Sequence, residues 1–251
     1  MASHDRLAVV TGTSSGIGAA VAAQLLADGW TVIGISRRPA RFDGDGYRHV
    51  EVDLASLPDV QRCAEDVLKP ALTTRAWRRI ALVNNAAATG AMGPLEDVEP
   101  AAFAQLLAVN TVAPVVLMGA VVGAAPPGIP VRIVNVSTGA AVQAFPGIGE
   151  YGSSKAALRL ASMTFAAEST SDQRPGGPRA DIAVLSYEPG IVDTPMQVTA
   201  RAPRLWNQFF VDIHAQGRLV SADEPAREIV AFLTSAHEAP FAERRFGAIP
   251  G

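Results

Sequence analysis

The sequence predicts an α/β protein: one doubly wound, mostly parallel sheet with helices on both faces, forming a single domain over residues 1–251. Three observations carry this. Six short β-branched runs recur along the chain, and most are apolar throughout, as strands covered on both faces must be. Helix-like segments fall between successive runs, the alternation that specifies a doubly wound sheet. A glycine-rich turn joins the first strand to the first helix.

The strands are expected in "LAVVTG" from Leu7, "TVIGIS" from Thr31, "HVEVD" from His49, "IALVNN" from Ile80, "VRIVNVS" from Val131 and "DIAVLSY" from Asp181. The helices are expected in "GAAVAAQLLADG", "LPDVQRCAEDVL", "PAAFAQLLAVNTVAPVVLMGAVV" and "YGSSKAALRLASMTFAAE". A later helix, "SADEPAREIVAFL", begins with a capping box from Ser221 to Glu224. The clusters "AAPPGIP" and "RPGGPRAD" fall between elements and read as loops rather than linkers.

Composition narrows the function. Hydrophobic residues make up 49% and charged residues 18%, so the chain can bury a large core. A net charge of −3 without basic or acidic blocks gives no electrostatic case for nucleic acid or a membrane surface. Cys63 is the single cysteine, so no internal disulfide can form, and a buried inert thiol is its simplest reading. His4, His49, His214 and His237 are scattered without metal-ligand spacing, so no metal site is expected. The start lacks a signal-peptide pattern. The apolar run Leu106 to Val122, broken by Asn110, Thr111 and Pro114, reads as too short to span a bilayer. A soluble cytoplasmic protein is expected.

The first loop reads as a phosphate cradle. "TGTSSGIG" places Gly12, Gly16 and Gly18 between strand and helix, with Thr11, Ser14, Ser15 and Ile17 among them. Such a turn brings backbone N–H groups and the positive helix end up to a pyrophosphate. The spacing is G-x3-G-x-G rather than the commoner G-x-G-x-x-G. An NAD site of this kind carries a carboxylate about 20 residues further on for the ribose 2′-hydroxyl. This chain has Ser36, Arg37 and Arg38 at the tip of the second strand instead. Arginine and serine suit a 2′-phosphate, so NADP(H) is expected over NAD(H). A solvated basic turn is the bland alternative.

"YGSSK" puts Tyr151 and Lys155 on one helix face, which is either chemistry or an ordinary amphipathic face. In their order and spacing, "TGTSSGIG", "NNAA" (84–87), Asn110, "VST", "YGSSK" and "PGIVDTPM" (189–196) resemble the short-chain dehydrogenases/reductases through nearly the whole chain. "GISRRP" and "PGIVDTPMQ" are most similar to the branch of sepiapterin and benzil reductases.

The resemblance implies a Rossmann-type fold and NADPH-dependent reduction of a ketone, diketone or related carbonyl. It gives Tyr151 the role of proton donor, assisted by Lys155, whose cation would lower the phenol and hold the nicotinamide ribose. Asn110 would anchor a water linking Lys155 to solvent. Asp53, with Leu54 beside it, would meet the adenine, and Asn84 and Ala86 the cofactor ribose. Pro189, Gly190, Ile191, Val192 and Thr194 would hold the nicotinamide end and phosphates. It also implies a homodimer or homotetramer built on the helices carrying Asn110 and Tyr151.

Three positions depart from the family's pattern. Ala87 stands where a glycine is usual. Glu188 precedes the Pro-Gly pair; it either faces solvent or selects a polar or cationic substrate. The catalytic hydroxyl usually lies thirteen residues before the tyrosine, which is Thr138 here, while Ser137 is fourteen away. Neighbouring strand residues face opposite ways, so one of the two is expected to work. Aromatic residues Trp206, Phe209 and Phe210 in the stretch after Met196, with Gln143 and Phe145 across the cleft, suggest a bulky substrate. Oxidation of an alcohol by NADP, or cofactor sensing without turnover, are the competing readings.

Overall fold

The computed structural model describes residues 4–40, 42, 45–174, 176–179, 181–201, 207–236 and 238–247. Seven strands form one all-parallel sheet: β1 (Arg6–Thr11), β2 (Thr31–Ile35), β3 (Tyr47–Val50), β4 (Arg79–Asn84), β5 (Val131–Val136), β6 (Ile182–Glu188) and β7 (Phe241–Arg245). Their order is β3-β2-β1-β4-β5-β6-β7. β1 pairs with β2 on one side and β4 on the other. The chain direction across the sheet therefore reverses at β1, and a crevice opens above the carboxyl ends of β1 and β4.

Helices cover both faces. On one lie α1 (Gly16–Ala27) and α9 (Asp223–Thr234), closing a core around Val10, Val21, Leu25, Trp30 and Ile229. On the other lie α2 (Leu57–Arg62) and α3 (Lys69–Thr73), α4 (Pro100–Leu107) and α5 (Ala113–Ala124), and the long α6 (Gly149–Thr170). These close a second core around Leu68, Leu82, Leu117, Ile133 and Leu158. α2 runs into α3, and α4 into α5, through π-helical turns at Cys63–Leu68 and Ala108–Val112. Two short helices, α7 (Pro195–Ala200) and α8 (Gln208–Ala215), follow β6.

Several elements differ from expectation. β3 starts at Tyr47 and ends at Val50, because Ser36 N–H to Val50 O (3.2 Å) is the last bond tying it to β2's end. β7 was not expected: "FAERR" is an edge strand whose polar face is solvated, so it lacks the continuous apolar run of its neighbours. The apolar run containing Asn110 is longer than expected. Pro100–Ala124 is long and apolar enough to cross a membrane, yet 44% of its most apolar window is buried inside the fold. Its Pro114 follows closely on the π-helical turn at Ala108–Val112, inside one continuous helix. At α9, Glu224 Oε1 accepts the Ser221 N–H (3.3 Å), while the Ser221 hydroxyl accepts the N–H of Asp223 (3.4 Å).

Candidate active site

A cavity of about 810 Å³ lies over the carboxyl ends of β1, β2, β4, β5 and β6. The glycine loop forms its floor. Gly12 has φ +77°, and a Cβ there would stand 2.7 Å from Asn85 Nδ2. Gly18 lies behind the wall, where a Cβ would stand 2.4 Å from the Gly12 carbonyl oxygen, so α1 packs directly on the loop. Gly16 and Ile17 open α1 against the cavity. Ser15 caps the helix without a side-chain hydrogen bond, and the first turn carries no acid. Its unpaired N–H groups and positive end make a cradle that fits a phosphate-bearing cofactor.

Thr11 ties this loop to the end of β4. Its hydroxyl accepts the N–H groups of Asn85 and Ala86, both at 3.0 Å, and the Asn85 side chain donates to Thr11 O at 2.9 Å. The residue at the wall is thus Asn85, not Asn84. Asn84 is buried beneath, donating to Asn135 Oδ1 at 2.8 Å in the neighbouring strand. Strand alternation separates them: in a doublet of asparagines one side chain turns into the core. Ala86, Ala87 and Ala88 all line the cavity, so the extra methyl at Ala87 is accommodated in its wall.

At the tip of β2, Ser36 is buried and donates to the Arg38 carbonyl at 2.7 Å, folding the tip into a compact turn. Arg37 and Arg38 are exposed at the cavity rim, and no acidic partner meets either guanidinium among the described residues. Across the rim, Asp53 Oδ1 accepts the Ala55 N–H at 3.0 Å, and Leu54 lies beside it. This end of the cavity is cationic and fits a phosphate.

The opposite end is built on β5 and α6. Tyr151 and Lys155 lie one helical turn apart, with the ammonium 5.8 Å from the ring centroid. Lys155 is fully buried and donates to Val136 O at 2.7 Å. Burial pushes the Tyr151 hydroxyl up to about 12 and Lys155 down to about 8. This differs from the expectation that the cation lowers the phenol: desolvation sets both shifts, and the ammonium turns toward a carbonyl. Tyr151 keeps part of its surface open to the cavity. At neutral pH it is a phenol with a proton to give.

Ser137 and Thr138 of the "VST" segment both line the cavity. Strand alternation does not separate them, because β5 ends at Val136 and the chain turns into a 3₁₀ turn at Gly139–Ala141. The Thr138 hydroxyl caps that turn, accepting the Ala140 N–H at 3.3 Å, which leaves its own proton to donate. The Ser137 hydroxyl has no hydrogen bond among the described residues.

Asn110 is fully buried in the π-helical turn between α4 and α5, a local widening often used at functional sites. Its side chain accepts the Ala88 N–H at 2.8 Å, donates to Ala88 O at 2.8 Å, and donates to Ser154 Oγ at 3.0 Å. Ser154 in turn donates to Tyr151 O at 2.7 Å. Asn110 therefore sits behind the cavity wall, its side chain engaged by protein groups, and links the loop after β4 to the helix of Tyr151. Ser154, the fourth residue of "YGSSK", escaped notice because a serine inside a helix carries no spacing signal.

The turn after β6 completes the wall. Ile191 O accepts the Val220 N–H and the Asp193 N–H donates to Val220 O, both at 2.9 Å. Thr194 approaches the glycine loop, its Cγ2 2.9 Å from a Cβ built at Gly16. Pro189, Gly190, Val192 and Met196 also line the cavity, as does Phe210. Phe209 stacks edge-on with Phe210 but is exposed, and Trp206 lies outside the described residues. Gln143 and Phe145 are exposed and do not line the cavity, because the segment around them faces outward. Glu188 pairs with Arg245 at 3.5 Å and is absent from the lining.

Comparison with known proteins gives a consistent result. The short chain dehydrogenase family model matches residues 6–205. A benzil reductase ((S)-benzoin forming) of Bacillus cereus is 27% identical over 237 residues, covering 89% of this chain and 92% of that protein. A sepiapterin reductase of Meriones unguiculatus is 32% identical over 250 residues, covering 90% of each. The solved structure of the angucycline C-6 ketoreductase LanV with bound NADP is 27% identical, covers 96% of this chain and 95% of its own, and superposes with a TM-score of 0.72. A short-chain dehydrogenase/reductase of Saccharomyces cerevisiae, 23% identical, shares the fold with a TM-score of 0.81 over 97% of this chain and 96% of its own.

Proposed function

The chain belongs to the short-chain dehydrogenase family of oxidoreductases, and from that premise we propose that it reduces a ketone or diketone to an alcohol with NADPH. The observation that carries this is Tyr151: a neutral phenol at a cavity wall, beside a buried lysine, at the far end of a cleft whose other rim is Arg37 and Arg38.

The nicotinamide cofactor, when bound, supplies the hydride that adds to the carbonyl carbon. The protein's own groups manage the oxygen. Tyr151 gives its proton to the carbonyl oxygen, and Lys155 stabilises the phenolate left behind until solvent returns a proton. Ser137 or Thr138 donates a hydrogen bond to the developing oxyanion. Gly12, Ser14, Ser15, Gly16 and Ile17 cradle the pyrophosphate, and Ser36, Arg37 and Arg38 bind the 2′-phosphate through charge-assisted contacts. The substrate end is lined by Met92, Leu106, Ile148, Met196 and Phe210, and among the described residues its lining includes no charged side chain beyond Lys155, which favours an uncharged carbonyl compound.

Exposed apolar side chains at Val112 and Val115, and at Leu160 and Met163 of α6, support association of two or four copies through these helices. Light scattering tests that association. A panel of ketones and diketones with NADPH, followed by loss of nicotinamide absorbance, tests the activity; no turnover across the panel, with turnover of alcohols by NADP alone, would reverse the direction proposed.

A further inference from the structure

One carboxylate holds two partners behind the turn that follows β6. Glu228 of α9 accepts the Tyr187 hydroxyl through Oε2 at 2.9 Å and the Gly247 N–H through Oε1 at 3.2 Å. Tyr187 is fully buried near the end of β6, and Gly247 lies in the tail beyond β7. The tail is fastened to the same turn directly. Phe246 N–H donates to Glu188 O at 2.8 Å, and Arg245 pairs with the Glu188 carboxylate. The Phe246 ring packs over Gly190, with Cδ1 3.8 Å from where a Cβ would lie.

Satisfying the Tyr187 hydroxyl needs only one acceptor. The second oxygen of Glu228 serves the tail, whose Arg245 and Phe246 also meet Glu188 and Gly190 while the Phe246 ring packs on the core that α1 and α9 close. The next residues, Ile191 and Val192, line the cavity at the end where Tyr151 stands. We propose that Glu228 and Phe246 are positioning residues, clamping the turn at 188–192 so that its backbone is preset for the nicotinamide end of the cofactor. This rests on the dinucleotide-binding reading above.

The test is NADPH titration of the purified chain, wild type against Phe246→Ala, Phe246→Tyr and Glu228→Gln, followed by protein fluorescence and alongside thermal melts. Misplacing a binding turn by a fraction of an ångström should weaken NADPH binding about tenfold in Phe246→Ala. Phe246→Tyr, which keeps the ring, should restore it. KM for NADPH should rise more than kcat falls. The melting temperature of Phe246→Ala should fall by only a few degrees, since the ring is partly buried at the edge of the core that α1 and α9 close, and Phe246→Tyr should restore it. Should Glu228→Gln fail to fold, Phe246→Ala alone decides. Wild-type binding that Phe246→Ala leaves unchanged would overturn the clamp alone. A wild-type chain that binds neither NADPH nor NADH would overturn the functional reading and the clamp with it.

Discussion

Lys155 stands 5.8 Å from the centroid of the Tyr151 ring and directs its ammonium to the Val136 carbonyl, 2.7 Å away. The lysine is thus anchored to the sheet, which leaves the Tyr151 hydroxyl as the group proposed to carry the proton.

Burial sets a pH dependence on that pair. Lys155 is lowered from 10.5 to about 8 by desolvation, so the folded chain binds fewer protons than the unfolded chain between those values. Burying the charged lysine costs stability below about pH 8, and the cost fades as pH rises toward 10.5. Urea unfolding of Lys155→Met against wild type, at pH 7 and pH 9.5, should show a stability difference that shifts in favour of wild type at the higher pH. A pH-independent difference would contradict the burial argument. In the same range, carbonyl reduction should fall as pH passes about 8, because the uncharged lysine no longer steadies the phenolate.

Arg37 and Arg38 at the β2 tip, without an acidic partner among the described residues, predict cofactor choice. NADPH should exceed NADH in kcat/KM by at least about tenfold, roughly 1.4 kcal/mol. Arg37→Asp should erase or reverse the preference. Steady-state kinetics with both cofactors decide it, and equal efficiencies in the wild type would be incompatible with a 2′-phosphate site there.

The two hydroxyls after β5 can be separated by substitution. Removing the oxyanion donor should cost about 10²–10³ in kcat, or roughly 2.7–4 kcal/mol. Spacing from Tyr151 gives that role to Thr138, so Thr138→Val should be the crippled variant and Ser137→Ala nearly normal. The opposite order would move the role to Ser137, whose hydroxyl has no hydrogen bond among the described residues.

Asn110→Leu removes three hydrogen bonds and leaves polar groups of Ala88 without partners, each at a cost of about 1–3 kcal/mol. Ser154→Ala removes a smaller part of the network and should cost less. Denaturant unfolding compares them; equal losses would mean that the Ala88 contacts carry little.

The sheet was legible because buried parallel strands write themselves as apolar runs, and six such runs appeared in order. β7 escaped for the converse reason: three of its five residues are charged, and a half-solvated edge strand resembles a loop. At the site, residues whose work is done by backbone or by spacing were readable, such as Gly12 and the Tyr151–Lys155 pair. Residues that work through tertiary contact were not. Which asparagine of the 84–85 doublet faces the cavity depends on where β4 ends. The partner of Asn110 is Ser154, forty-four positions away, and only the packing of α6 against the π-helical turn brings them together. The direction of Tyr151's shift was also hidden, since the depth of burial is not written in a helix face.

The most direct measurement is the turnover of Tyr151→Phe beside its NADPH affinity. The substitution keeps the ring in the wall and deletes the proton, a contribution typically worth about 10²–10⁴ in rate. The expected result is a fall of that size in kcat on a ketone that the wild type reduces well, with the dissociation constant for NADPH within about twofold of wild type. A variant that keeps half of its turnover would show that Tyr151 is not the proton donor.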